Sequence, residues 1–153
     1  MKIIQTTNAD IIAKLNRSVH DLHVQRYPQY FKEYAYEAVK AFFQSIINKD
    51  NFIFLLLEDN EEAIGYAWIE IRKYQETPFR KAYKSIYVHQ ISIVETERKK
   101  GYGSKLMEEI YRIASHHKID LVELDYWAEN EAAKDFYRKQ GFSTYREIVY
   151  KRL

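Results

Sequence analysis

The sequence contains no cysteine, and this absence excludes several kinds of chemistry at once. Without a thiol the chain can form no disulfide, no cysteine nucleophile and no cysteine-ligated metal site. Long hydrophobic runs are also missing, because none reaches the ~18 residues that a membrane span needs. The opening residues, MKIIQTTNAD, lack the apolar core and small-residue cleavage site of a signal peptide. These absences predict a cytoplasmic protein that makes no membrane contact.

Excess charge of either sign is missing as well. The chain carries 24 basic and 22 acidic residues, a net charge of +2, which is too small to indicate nucleic-acid binding. Binding of that kind would depend on one short basic segment, RKKGYGSK. With 153 residues, 46% of them hydrophobic and 30% charged, the composition is typical of a single globular domain, expected to span residues 1–153.

The spacing of apolar residues predicts the element order β-α-α-β-β-β-α-β-α-β. The predicted strands are Lys2–Gln5, Phe52–Leu57, Ala63–Lys73, Ser85–Val94, Ile119–Trp127 and Phe142–Tyr150. The predicted helices end near His23, Asn48, His117 and Gly141. The strand, helix and strand over residues 85–127 predict a right-handed parallel crossover, whereas the short loop after the second strand indicates an antiparallel hairpin. The expected fold class is α/β, a sandwich with a mixed, mostly antiparallel central sheet and helices on both faces.

The stretch from Tyr87 to Ala114 carries the strongest functional signal. An apolar strand runs into a basic turn with two glycines, and the turn runs into an amphipathic helix. A helix N-terminus has backbone N–H groups without partners and a positive dipole end. Gly101 and Gly103 lack a Cβ, so the backbone there can approach a ligand closely, and neighbouring lysines add positive charge. The stretch therefore predicts a phosphate-binding turn.

Residues 98–103, RKKGYG, fit the pattern Arg/Gln-x-x-Gly-x-Gly/Ala, and the segment NEAAKDFYRKQGF follows downstream. With these motifs in order, the chain resembles the GCN5-related N-acetyltransferase superfamily. The resemblance implies an acyl-CoA N-acyltransferase-like fold and an enzyme that moves an acetyl group from acetyl-CoA to a primary amine of a small molecule or peptide. Direct transfer in a ternary complex is expected, because a chain without cysteine can form no cysteinyl acyl-enzyme.

The resemblance also implies which residues bind the cofactor. Those assigned to the pyrophosphate of acetyl-CoA are Arg98, Lys99, Lys100, Gly101, Tyr102, Gly103 and Ser104. Backbone groups of Ile91, Ser92 and Ile93 would pair with the pantetheine arm as if it were an added strand. Asn130 would contact the same arm or the thiol end of the cofactor, although an asparagine before a helix can equally serve as its cap.

Two side chains are predicted to move protons. The resemblance assigns Tyr137 to protonating the leaving thiolate, and a phenol with a pKa of about 10 is protonated at neutral pH. Family members often carry an acid on the central strand, where this chain has Val88-His89-Gln90. His89 is therefore predicted to act as the general base, directly or through a water molecule. A packing role is the alternative for both residues.

The acceptor half of the site has weaker signals. By the same resemblance, the first two helices and nearby loops form the acceptor pocket, with the candidate wall residues His23, Tyr27, Tyr30, Phe31 and Tyr34. Glu70 and Glu76 are expected to be solvated surface acids, or else to attract a cationic amine. The histidines show no metal-binding signature, so no metal is expected. A non-catalytic acyl-CoA-binding regulatory module is the alternative function, and an exposed final strand could pair across a homodimer.

Overall fold

One five-stranded sheet organises the chain, in a computed structural model that describes residues 1–153. Its strands are β1 (Lys2–Gln5), β2 (Phe52–Asp59), β3 (Glu62–Tyr74), β4 (Tyr83–Ile93) and β5 (Val122–Leu124). They lie side by side in chain order. The first three pairings are antiparallel and the last, between β4 and β5, is parallel. The mixed, mostly antiparallel sheet expected from the sequence is therefore confirmed.

Four α-helices accompany the sheet: α1 (Ala9–Arg26), α2 (Tyr36–Ile46), α3 (Tyr102–His116) and α4 (Glu131–Lys139). A 3₁₀ turn over Glu95–Glu97 precedes α3. Each predicted helix is present, although α1 continues past His23 to Arg26. None of the helices combines the length and the apolar character needed to cross a membrane.

The two faces of the sheet bury separate cores. Strand β2 shows why, because successive side chains of a strand point to opposite faces. Leu55 and Leu57 pack in a cluster with Leu106 of α3, whereas Phe54 packs in another with Phe43 of α2. The α1 side chains Ile12 and Ala13 belong to the second cluster. Helices therefore cover both faces, as predicted.

The sheet opens between its last two strands. β4 pairs with β5 over Ile86–Val88 alone, opposite Val122–Leu124. On its other edge β4 keeps its antiparallel pairing with β3 as far as Ile93, opposite Gly65. The edge of β4 that faces β5 is consequently unpaired beyond Val88, which leaves backbone groups available to an extended partner.

The predicted final strand, Phe142–Tyr150, is wrong. Residues 142–153 have no regular secondary structure, and none beyond Phe142 makes a backbone hydrogen bond. Ile148, Val149 and Tyr150 have strand-forming side chains but are more than four-fifths exposed. Strand propensity depends on packing against neighbouring strands, and this segment has none, so the strand proposed for a homodimer contact is absent. The predicted strand Ile119–Trp127 likewise shortens to β5.

Helix α3 presents a direct test of this packing. Ile110 is fully buried in the cluster beneath α3, so Ile110→Ala should lower the free energy of unfolding by about 2–5 kcal/mol through lost burial and a residual cavity. The same substitution at Ile148, which is 87% exposed, should change it by less than about 0.5 kcal/mol. Urea unfolding of both variants measures the difference. Equal losses would contradict the described packing of α3 and of the C-terminal segment.

Candidate active site

His89 occupies an irregularity in the pairing of β3 with β4. Trp68 pairs with Gln90 and Ile69 pairs with Val88, so the register skips His89 and leaves it without a partner across the strands. This is a β-bulge, which bends a strand and re-aims a side chain and is over-represented beside active sites. It lies where β4 loses its pairing with β5.

The His89 ring is held on several sides. Its Nε2 lies 2.7 Å from Oε2 of Glu70, and the ring stacks on Trp68 with centroids 4.2 Å apart and planes 15° apart. The rings of Phe52 and Tyr87 meet it edge-on at 5.6 and 5.0 Å. The imidazole is therefore ordered and partly sheltered from water.

The charge states in this group are set by opposing effects. Burial lowers the pKa of His89, and the hydrogen bond and negative charge of Glu70 oppose that shift without cancelling it. Burial raises the pKa of Glu70, but hydrogen bonds from Arg72 and His89 outweigh burial and lower it overall. At neutral pH a neutral imidazole therefore faces an ionised carboxylate.

Glu70 differs from the surface acid expected from the sequence. Its side chain is 17% exposed. The carboxylate accepts hydrogen bonds from Arg72 Nε at 2.9 Å and from Asn51 Nδ2 at 3.1 Å. Alternation along β3 places Glu70 on the same face as Trp68, but its meeting with His89 depends on the bulge, which no local pattern indicates. Glu76, in contrast, is exposed as expected.

The residues after His89 turn their side chains into the two cores. Asn16 of α1 donates to Tyr66 Oη at 2.9 Å and to Gln90 Oε1 at 3.0 Å. Ser92 Oγ donates to the Leu15 carbonyl at 3.1 Å. On the opposite face, Ile91 and Ile93 pack against the α3 cluster. These contacts fix the position of β4 and leave its backbone edge as the part open to a ligand.

The turn before α3 has a run of unused backbone donors. The N–H groups of residues 99–104 donate no hydrogen bond within the chain, whereas Arg98 N–H donates to the Glu95 carbonyl at 3.2 Å. Gly101 precedes the helix with φ at 87°, a left-handed conformation that suits glycine. The first turn of α3 contains no acidic residue to offset the positive dipole end. The donors predicted for a phosphate are therefore free, except that of Arg98.

Side chains around the turn have uneven roles. The Arg98 guanidinium donates to Ser18 Oγ at 2.6 Å and to the Ile93 carbonyl at 3.1 Å, which joins the turn to α1 and β4. Lys100 pairs with Glu97 at 3.0 Å. A Cβ on Gly103 would lie 3.2 Å from the Phe136 ring, so this glycine allows α3 and α4 to pack closely. The sequence suggested a ligand approach there instead.

Tyr137 lies on α4 against the same cluster as α3. Its ring stacks on Tyr126 at 6.0 Å and meets Phe142 edge-on at 5.5 Å. Burial, followed by the nearby Tyr111 and Asp125, raises the pKa of Tyr137 above its ordinary value, so the phenol stays protonated at neutral pH. Its hydroxyl makes no hydrogen bond within the chain.

The proton-transfer candidates share one electrostatic neighbour. Asp125, just after β5, raises the pKa of both His89 and Tyr137. It also accepts a hydrogen bond from the Tyr87 hydroxyl. Asn130 caps α4, with Oδ1 accepting from Ala133 N–H at 3.2 Å. A cofactor contact by Asn130 stays a prediction.

The predicted acceptor-pocket residues meet around a tryptophan that the sequence did not single out. Tyr27 and Tyr30 stack on Trp127 at 4.3 and 5.5 Å. Phe31 meets the same indole edge-on at 5.7 Å and stacks on His23 at 4.8 Å. Trp127 lies shortly after β5. This position is the one feature of the sequence that could have indicated a place near the pocket.

Tyr34 stands apart from the group around Trp127. Its hydroxyl donates to the Ala13 carbonyl at 2.5 Å, and its ring approaches His20 at 5.9 Å. His20 in turn meets Phe31 edge-on at 6.2 Å. Tyr34 therefore supports the α1–α2 connection more than it lines an opening. No three His, Asp or Glu side chains converge as a metal-binding group.

The mixed sheet with helices on both faces, together with the open edge of β4 and the turn into α3, is the architecture of the acyl-CoA N-acyltransferase fold. The model of the acetyltransferase (GNAT) family matches residues 16–142, and this chain belongs to that family. The resemblance drawn from the RKKGYG turn is thereby confirmed. No curated protein matched the sequence.

Solved structures share the fold of this chain. A tetramutant of the BH1408 protein from Bacillus halodurans superposes with a TM-score of 0.93 at 26% identity, covering 100% of both chains. The aminoglycoside N-acetyltransferase AAC(6')-Iy in complex with CoA gives 0.72 at 17% identity, covering 99% of this chain and 93% of that one. A transcriptional regulator from Bacillus halodurans C-125 gives 0.76 at 17% identity, covering 99% of each chain. The last two likenesses show the shared fold.

The pKa of His89 predicts a pH dependence of stability. Because burial lowers the pKa of His89 in the native state, the unfolded chain takes up this proton at a higher pH than the native chain does. The contribution of neutral His89 to stability is therefore complete above about pH 6.5, and it is lost as the pH drops toward the native pKa. The loss of unfolding free energy between about pH 7 and pH 5 should be smaller in His89→Gln than in the wild type. The exposed His117 provides the control His117→Gln, which should keep the wild-type slope. Urea unfolding across this pH range measures the slope for both variants. An unchanged slope in His89→Gln would contradict a lowered pKa of His89 in the native state.

Proposed function

We propose that this chain is an acetyl-CoA-dependent N-acetyltransferase that moves the acetyl group directly to a primary amine of a small molecule or peptide. The observation that carries this proposal is the run of free N–H donors at residues 99–104, beside the unpaired edge of β4. These two features match two adjoining parts of an acyl-CoA, an anionic pyrophosphate and an extended amide chain. Family membership supports the same general activity.

The chain's own groups fit the cofactor along its length. The N–H groups of residues 99–104 would bind the pyrophosphate, aided by the exposed Lys99. The backbone of Ile91, Ser92 and Ile93 would pair with the pantetheine arm, because their side chains already occupy the cores. Asn130 keeps its side-chain amide donor for the same arm while Oδ1 caps α4. When bound, acetyl-CoA supplies an activated thioester.

Proton transfers would be divided between two side chains. His89, neutral at neutral pH, removes the proton that the attacking amine loses, directly or through water. Tyr137 donates its phenolic proton to the leaving thiolate, and its raised pKa keeps that proton in place until it is needed. The chain contains no cysteine, which favours direct transfer over a cysteinyl intermediate.

The acceptor would enter beside the aromatic group around Trp127. Tyr30 is 53% exposed and Trp127 is 37% exposed, so the exposed parts of these rings can pack against the apolar body of an acceptor. His23, Tyr27 and Phe31 support these rings, with Tyr34 behind them. One solved neighbour, AAC(6')-Iy, has been captured with a bisubstrate analogue that joins CoA to an acetylneamine. That neighbour binds a single molecule that combines the cofactor with an amine substrate.

A non-catalytic acyl-CoA-binding regulator is the second candidate. Its support is the structural likeness to a transcriptional regulator of the same fold. Such a module would bind CoA through the same turn but would release no thiol with any amine. The two functions therefore separate in one turnover assay.

The test of catalysis is thiol release from acetyl-CoA with a panel of polyamines, aminoglycosides, amino acids and peptides. We expect at least one amine to accelerate release above the rate without acceptor. Tyr137→Phe should then lower kcat by about 100-fold, because a general acid contributes on that order, with little change in CoA affinity measured by calorimetry. Tight CoA binding without thiol release would favour the regulator, and an unchanged kcat would remove Tyr137 from the acid role.

The phosphate-binding turn can be tested with a matched pair of glycines. Gly101 and Gly141 both have φ at 87°, and a Cβ on either would contact nothing within 4 Å. Each substitution to alanine should therefore lower the free energy of unfolding by about 1 kcal/mol through left-handed strain. Only Gly101→Ala should also weaken CoA binding, by roughly 10-fold if one hydrogen bond is lost. Equal CoA affinities in both variants would contradict the placement of the pyrophosphate.

A further inference from the structure

We propose that Glu70 is a positioning residue for His89: its carboxylate accepts the Nε2–H of the imidazole and leaves Nδ1 as the atom that takes the proton. This inference rests on the proposed role of His89 as general base and specifies how that base is oriented. Neither the resemblance nor the local sequence pattern assigns such a role to Glu70.

The geometry of the pair is that of a hydrogen bond sheltered from solvent. The Nε2 to Oε2 distance is 2.7 Å, and the side chains are 21% and 17% exposed. An ionised carboxylate can only accept, so a neutral imidazole beside it must donate through the nitrogen that faces it. That nitrogen is Nε2, and the remaining lone pair is therefore on Nδ1.

Glu70 is itself held in place by other side chains. This favours a role in orienting His89 over a role in binding a cationic acceptor. Arg72 and Asn51 bind its two oxygens at 2.9 and 3.1 Å. With His89 as a third donor, the carboxylate has little capacity left for an incoming ammonium group. The arrangement resembles the base and orienting acid of other catalytic sites, in which the third group fixes the tautomer.

The ring cannot turn freely to exchange its two nitrogens. Trp68 covers one face, at 4.2 Å with planes 15° apart. Phe52 and Tyr87 stand nearly perpendicular to the ring, at 87° and 66°. The bulge fixes the backbone from which the ring projects, so the hydrogen bond to Glu70 selects one orientation.

The charged groups around His89 determine how its titration responds to a change at Glu70. From β3, Glu70 raises the pKa of His89 and Arg72 lowers it; from the end of β5, Asp125 raises it. On β4, Tyr87 meets the ring, with its own pKa raised by burial and by Asp125. The contact from β2 is the Phe52 ring, which carries no charge. Removing the Glu70 charge should therefore lower the pKa of His89 further.

The first test needs no acceptor and uses nitrogen NMR of the 15N-histidine-labelled protein with and without CoA. The His89 signals are assigned by comparison with His89→Gln. We expect the neutral His89 to carry its proton on Nε2, with a slowly exchanging Nε2–H signal that is lost in Glu70→Ala. A proton on Nδ1 in the wild type, or an Nε2–H signal that persists in Glu70→Ala, would overturn the inference.

The second test is the pH dependence of kcat/KM with an amine from the turnover panel. Glu70→Gln should lower kcat roughly 10-fold or more, because a misplaced catalytic group loses rate on that scale, and its acidic limb should move to lower pH. Glu62→Gln, on the exposed opposite end of β3, is the matched control and should follow the wild type. A Glu70→Gln profile that coincides with the wild type would overturn the inference.

Failure of the proposed function has a different signature. If His89→Gln keeps the wild-type pH profile, His89 is not the base, whatever the NMR shows of its tautomer. If no amine releases thiol, the NMR result alone decides whether Glu70 orients His89. Melting curves of each variant show whether a loss of activity reflects unfolding.

Discussion

β4 keeps its partner β3 to its end but loses its partner β5 after Val88, and this one-sided loss of pairing is the feature on which the proposed ligand site depends. A strand edge with free backbone groups attracts an extended amide chain. The same strand leads through a 3₁₀ turn into α3, whose first N–H groups are also free. The free donors of the strand edge and of the turn therefore lie along one path of the chain, which is interrupted at Val94, Glu97 and Arg98, because their N–H groups are bonded within the chain.

That path is held open by contacts that belong to the cores. Asn16 and Leu15 of α1 bind Gln90 and Ser92 on one face of β4, and Ile91 packs on the other face. Arg98 joins the turn to α1 through Ser18. The contact of Ser92 with Leu15 is buried and that of Asn16 with Gln90 is partly buried, and a buried polar group left unpaired costs about 1–3 kcal/mol. Packing on both faces therefore fixes the position of the unpaired edge of β4.

Local signals in the sequence were sufficient to predict the basic turn and the helix that follows it. Gly101, the neighbouring lysines and the amphipathic α3 lie within one short stretch, so the turn could be recognised without knowing the fold. Glu70 and Trp127 could not be recognised in this way. Glu70 meets His89 only because of a bulge, and Trp127 meets Tyr27 from the loop after β5. The final strand was wrong for a related reason: Ile148 and Val149 have the propensity, but pairing needs a neighbouring strand, which no local pattern reveals.

The surroundings of His89 balance two demands that its proposed role as a base would make. Burial keeps the imidazole neutral, so that it can accept a proton, but it also makes the protonated form costly. Glu70 offsets part of that cost, because its negative charge favours the imidazolium. Arg72 then limits the offset, since it pairs with Glu70 and lowers the pKa of His89. A buried histidine alone would be a poor proton acceptor, and one beside an unshared carboxylate would be more often protonated at neutral pH. The Arg72–Glu70–His89 arrangement places this residue between those limits.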